Sequence, residues 1–256
     1  MPAYADDFDG PGLDTEVWVP HYLPMWSSRA QSAATYAVTG SELRLTIPAE
    51  QGLWCPEDHA PLRVSGVQSA ISSGPVGSTR GQHAFRDGLV VREAQPAQRG
   101  WTPRFGRIEV RARMALSPRS MAAGWMIGLE DEPARSAEIC IFEVFGDALG
   151  ARGARPTAAV GMGVHPFRDP AITDEFAAPR VPIDVTASHW YAADWRPGRV
   201  DFSIDGEHVG TVHQAPDYPM QMMLAVFDFP EHEAAPAWAG HVPELAVDAV
   251  RGRPLG

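Results

Sequence analysis

Two glutamates interrupt an otherwise apolar run, Ala137-Glu138-Ile139-Cys140-Ile141-Phe142-Glu143-Val144-Phe145-Gly146. Burying an ionised carboxylate without a partner is costly, so acids inside a core strand imply that one face of it opens onto something polar, such as a groove. Two carboxyl groups in one groove can share acid–base and nucleophilic work at a glycosidic bond, and double displacement asks for about 5–5.5 Å between them. In a regular strand residues five apart point to opposite faces, so Glu138 and Glu143 can cooperate only if one extra residue is inserted between them. A β-bulge is such an insertion, and bulges occur beside active sites because they re-aim a side chain. With an effective four-residue offset the two Cα atoms lie roughly 13 Å apart, a gap that two leaning glutamates can largely close.

The rest of the composition narrows the classes. Apolar residues make up 45% of 256, and 24 glycines with 24 prolines point to many short connections rather than long helices. The net charge of -11 is spread along the chain, which argues against nucleic acid as the partner, since that binding needs a basic surface. No Lys occurs, so all 21 basic residues are Arg, and Schiff-base chemistry and the phosphate-loop lysine are excluded together. Asn is absent as well, which removes N-glycosylation sequons and Cys-His-Asn proteases. No apolar stretch reaches membrane-spanning length. Cys55 and Cys140 permit one disulfide without demanding it. The first twenty residues show no basic start followed by an apolar stretch, so the chain is expected to be cytoplasmic as it stands, or secreted if a leader has been removed.

The elements that must position the pair read as strands. Ile108, Val110, Ala112 and Met114 alternate with Arg107, Glu109, Arg111 and Arg113, giving one apolar and one charged face. Leu43, Leu45 and Ile47 repeat the pattern, as do Val200, Phe202 and Ile204 ahead of Asp205-Gly206, a tight-turn dipeptide that predicts a returning strand over 209–212. Residues 125–129, 139–145 and 220–229 are nearly continuous apolar runs, expected of central strands buried on both sides or facing a groove. Leu245, Val247 and Ala249 make a last strand. The Pro- and Ala-rich stretches 148–157 and 230–243 read as long loops. With no linker or repeat, residues 1–256 are expected to form a single domain.

Glu138-x-Cys140-x-x-Glu143 resembles the Glu-x-Asp-x-x-Glu signature of family 16 glycoside hydrolases, in the bulged-strand, laminarinase-like β-glucanase branch. The resemblance runs along nearly the whole chain: Asp7-Phe8-Asp9-Gly10 with Leu13-Asp14 and Trp18, Phe105 through Arg111, Gly124-Trp125-Met126, His189 through Gly206, and Val247 through Arg251 are each similar to family segments in the same order. It implies an all-β fold, a two-sheet antiparallel β-sandwich or concanavalin-like jelly roll with a concave substrate cleft. It also implies a retaining endo-hydrolase of a β-linked polysaccharide, with β-1,3- or mixed-linkage glucan the favoured substrate and no cofactor required. Glu138 would be the nucleophile and Glu143 the acid–base. The departure is Cys140, where the family carries Asp: a thiol is a weak donor beside the nucleophile, so catalysis is expected to be slowed or retuned. Cys140 could equally be a small buried hydrophobe.

Trp125 could stack on a sugar or be plain core, and the resemblance favours the cleft. His165 resembles a groove histidine or is a satisfied structural one. Trp101 and Trp26 lie in loop-like segments and could form subsites. Asp248 would be the side-chain ligand of the structural calcium that some family members carry. The expected partner is a poly- or oligosaccharide, met by a monomer, with neither nucleic acid nor membrane involved. A non-catalytic polysaccharide-binding jelly roll is the competing reading, kept open by Cys140.

Overall fold

The structure is a computed structural model that describes residues 2–152, 154–232 and 236–255. Strands dominate: among the described residues helix is confined to one α-turn, Arg29–Ser32, and three short 3-10 turns. Two antiparallel sheets pack face to face. The eight-stranded sheet runs in the order Glu207–Val212, Arg199–Ile204, His189–Arg196, Gly106–Ala115, Glu244–Arg253, Leu43–Thr46, Thr35–Val38, with Tyr4–Asp6 added on Glu244–Arg253. The six-stranded sheet runs Glu175–Ala177, Gly161–His165, Glu138–Phe145, Ser120–Gly128, Met220–Asp228, Arg63–Gln68. This is the two-sheet sandwich that the resemblance implied.

The period-two pattern explains the outer sheet. In Gly106–Ala115 the residues Ile108, Val110, Ala112 and Met114 are fully or almost fully buried in the core between the sheets. Their charged alternates face outward and pair across strands: Arg107 with Asp194 at 2.8 Å, and Arg113 with Glu42 at 2.9 Å and Glu244 at 3.0 Å. Asp205 and Gly206 take positive φ values of 50° and 85°, as the hairpin turn between Arg199–Ile204 and Glu207–Val212 requires.

The six-stranded sheet is apolar on both faces, and every residue of Ser120–Gly128 and Met220–Asp228 is buried. One face joins the shared core through Met126, Ile139, Ile141, Phe142, Val144, Met222 and Leu224. The other carries Met121, Ala123, Trp125, Cys140, Met223 and Phe227, and part of it is roofed by Leu23, Met25, Trp26, Trp54, Leu89 and Val91 from the N-terminal half of the chain. Each large side chain so buried contributes roughly 1.5–3 kcal/mol, so this second cluster stabilises the molecule as the main core does and leaves only part of the sheet face accessible.

One expected loop is ordered differently. Residues 148–157 largely form a hairpin, Leu149–Arg152 against Arg155–Ala159, with Thr157 and Ala158 buried and Ala158 paired in turn with Val181; residue 153 lies outside the described residues. The described residues of the 230–243 stretch form no strand and carry a 3-10 turn at Pro236–Trp238; residues 233–235 lie outside the described residues. Among the described residues no helix is long and apolar enough to cross a membrane.

Candidate active site

The Glu138–Phe145 strand carries the anticipated bulge. On one side Gly124 faces Phe142 and Trp125 faces Cys140, leaving Ile141 without a counterpart. On the other, Gly161 faces Glu143 and Gly163 faces Cys140, so two steps along one strand span three along its neighbour. Ile141 and Phe142 both turn into the core between the sheets. The alternation then resets, and Glu138, Cys140 and Glu143 share the opposite face. Glycines make room for the kink: a Cβ at Gly124 would stand 2.4 Å from the Phe142 ring, and one at Gly161 would stand 2.4 Å from Phe176 and 3.2 Å from the Glu143 Cβ.

Both carboxyls are held away from their ordinary ionisation. Burial raises Glu138 to about 8, and the nearby charge of Glu143 adds to it. Burial also raises Glu143, with the neighbouring His165 opposing. Cys140 is 1% exposed, and burial followed by the charges of Glu138 and Glu143 pushes its thiol well above the ordinary cysteine range. It is therefore a neutral thiol, as expected beside two acids. Cys55 and Cys140 are both free.

His165 sits opposite Glu138 in the neighbouring strand. Its Nδ1 meets Asp174 at 2.5 Å, and its ring stacks on Phe176. Glu138, His165, Pro166, Phe167 and Asp174 line an open depression of about 490 Å³. His83 enters from a separate loop, with Nδ1 3.9 Å from the Glu138 carboxylate and its ring stacked on Phe167 at 3.9 Å between centroids. Burial lowers His83 to about 3, so the imidazole is neutral. Tyr22 lies near enough that burial and then the Glu138 charge raise its phenol above the usual range. A second depression of about 520 Å³ borders the same loops, with Gln82, Glu130 and Arg168 in its lining.

The tryptophans are placed otherwise than expected. Trp125 shares the site face beside Cys140 but is 6% exposed, covered by Tyr22 and Phe227; it is floor rather than platform. Trp26 is fully buried, its indole N–H donating to the Gln82 carbonyl at 2.7 Å, and so holds the loop ahead of His83 instead of forming a subsite. Trp101 lies in the core between the sheets, stacked on Tyr4. Short, Pro-rich surroundings made both look like loop positions, whereas loops that roof a sheet bury their aromatics. Asp248 is on the far sheet in a bulge of Glu244–Arg253, and the Arg111 guanidinium stands 3.3 Å from its carboxylate. A cation already fills the place of a metal there, and among the described residues no cluster of three metal-ligating side chains exists.

Sequence reasoning missed His83, Glu130, Tyr22 and Phe167. They reach the site from loops whose composition carries no periodic signal, and only the fold brings them to Glu138.

Residues 100–239, more than half of the chain, match the family profile described as glycosyl hydrolases family 16. Among solved structures, a GlcNAcα1-4Gal-releasing endo-β-galactosidase from Clostridium perfringens is similar with 26% identity and a TM-score of 0.79 over 97% of this chain, which spans 61% of that one. A laminarinase from Flavobacterium sp. UMI-01 is similar with 18% identity and a TM-score of 0.63, over 97% of this chain and 98% of that one. An endo-acting O-glycanase of human gut bacteria, concerned with mucin breakdown, is similar with 19% identity and a TM-score of 0.63, over 99% of both chains. No curated protein sequence matches.

Proposed function

This chain belongs to family 16 of the glycosyl hydrolases, and from that premise we propose that it is a retaining endo-glycosidase in which Glu138 and Glu143 act on one β-glycosidic bond. The observation that carries the reading is the bulge at Ile141, which turns both carboxyls to the same open face. Glu138 attacks the anomeric carbon while Glu143 protonates the departing glycosidic oxygen. A glycosyl ester forms on Glu138; water, deprotonated by Glu143, then hydrolyses it with net retention. The chemistry needs Glu138 ionised and Glu143 protonated at the moment of attack. The raised values leave a proton on the pair near neutral pH, and the working distribution of that proton calls for a donor to Glu138.

For the substrate, the greater similarity to an endo-β-galactosidase than to laminarinases supports a β-galactosidic linkage within a glycan over the β-1,3- or mixed-linkage glucan that the sequence signature favours. An assay of new reducing ends over galactose-containing glycans, laminarin and mixed-linkage glucan tests both levels. Release of oligosaccharides from within the galactoside chain is the expected result, with Glu138→Gln and Glu143→Gln each lowering kcat by about 10²–10⁴-fold. Binding without cleavage, indifferent to Glu138→Gln, would leave a carbohydrate-binding domain instead of an enzyme.

A further inference from the structure

Glu138 is 13% exposed, and neither a hydrogen bond nor an opposite charge offsets its burial. The residue that shares its face, Cys140, is a neutral thiol and a poor donor. Yet a neutral imidazole, 7% exposed, has been brought up to the same carboxylate from another loop. Its placement is over-determined. His83, Glu130 and Phe167 all adopt left-handed backbone, with φ of 47°, 52° and 47°, a conformation that non-glycine residues rarely hold unless their surroundings impose it. They lock one another: the His83 backbone N–H donates to Glu130 Oε1, Arg168 pairs with Glu130, and the Phe167 ring covers the imidazole. Three loops in uncommon conformation converge on one histidine beside the nucleophile.

The tautomer follows from what surrounds the ring. His83 Nε2 is buried and has no hydrogen-bond partner. The Ser136 carbonyl lies close enough to the ring to favour its protonated form, but Nε2 makes no hydrogen bond of ordinary geometry. A proton on Nε2 would therefore be an orphaned buried donor, the costlier arrangement, so the neutral ring carries its hydrogen on Nδ1. Nδ1 is the nitrogen that faces Glu138 Oε2 at 3.9 Å. This exceeds a hydrogen bond, and a small rotation of the Glu138 side chain toward the ring would close it. The other charged groups around the ring are Arg168 and His165, both of which disfavour a charged imidazole, and Glu130 at its backbone.

Resting on Glu138 as the nucleophile, we propose that His83 is its positioning residue: a neutral imidazole that donates Nδ1–H to the ionised Glu138 carboxylate and supplies the donor that Cys140 does not. The donor favours ionised Glu138 and so leaves the shared proton on Glu143.

Two variants and one measurement test this. His83→Leu removes the donor; His83→Asn keeps an N–H near the Nδ1 position and tolerates the left-handed backbone. The acid limb of the kcat/KM profile reports ionisation of the nucleophile in the free enzyme. In His83→Leu it is expected to move up by about one pH unit, with kcat/KM at pH 6 lower by roughly 10-fold, and in His83→Asn to return toward wild type. A folded His83→Leu enzyme with an unmoved acid limb would overturn the proposal. Imidazole ¹⁵N NMR of the wild-type protein gives a reading independent of folding of the variants: His83 is expected to be neutral with the proton on Nδ1, and an Nε2–H tautomer would overturn it. If Glu138→Gln retains turnover, it is the assignment of the nucleophile that fails, whatever His83 does.

Discussion

Cys140 shares the site face with Glu138 and Glu143. The thiol fills the position beside Glu138 without offering a strong donor or a charge. Cys140→Asp is expected to raise kcat on the enzyme's own substrate, measured under saturation; an unchanged or lower rate would show that the thiol imposes no penalty. Both thiols are buried and shifted up, Cys55 to about 11 mainly by burial, so iodoacetamide at pH 7.5 is expected to leave both unmodified in the native protein and to label both after unfolding. Glu138 also carries a pH signature in stability. Its folded value near 8 exceeds the ordinary 4.5, so the folded Glu138–Glu143 pair holds a proton that the unfolded chain releases. The corresponding stability is complete below about pH 4.5 and lost as pH rises through 8. Glu138→Gln cannot ionise and should be more stable than wild type at pH 8, on the order of 4 kcal/mol, with little difference at pH 4. Denaturant unfolding at the two pH values measures this, and an equal difference at both would contradict the assignment.

The bulge is the element on which the site depends. It was legible in the sequence because a five-residue spacing of two acids in an apolar strand admits one remedy, and the apolar pair Ile141-Phe142 supplies the two consecutive inward side chains. The neighbouring strands enforce it. Gly124→Ala would press a methyl into the fully buried Phe142 ring, and a loss of about 1–3 kcal/mol is expected by thermal or denaturant unfolding. Deleting Ile141 should restore plain alternation, place the two glutamates on opposite faces and lower activity by at least about 10²-fold; a deletion variant that folds and keeps wild-type turnover would remove the bulge from the account. The strands were legible wherever apolar and charged residues alternate. The hairpin over 149–159 was not, because its Gly-, Ala- and Pro-containing sequence carries no period. Loops that roof the sheet were opaque for the same reason, which is why Trp26 and Trp101 were expected at a surface and His83 was not seen at all.

For the molecule as a whole, two sheets share one core and one of them buries a second apolar layer, so part of the potential groove face is roofed, and open depressions remain at Glu138, His165 and Phe167 and at Gln82, Glu130 and Arg168. The charge of -11 suits a neutral glycan, which it neither attracts nor repels. The Arg111–Asp248 pair stands where calcium was expected, so addition of calcium or of a chelator should leave Tm unchanged within about 1 °C; a rise of several degrees with calcium would mean that Arg111 yields to a metal. The most direct measurement is to trap the glycosyl–enzyme with a 2-deoxy-2-fluoro β-glycoside of the sugar found in the reducing-end assay and to locate the label by peptide mass mapping. The label is expected on Glu138 and to be lost in Glu138→Gln. A label on Glu143, or on any residue outside the 138–145 strand, would contradict the account.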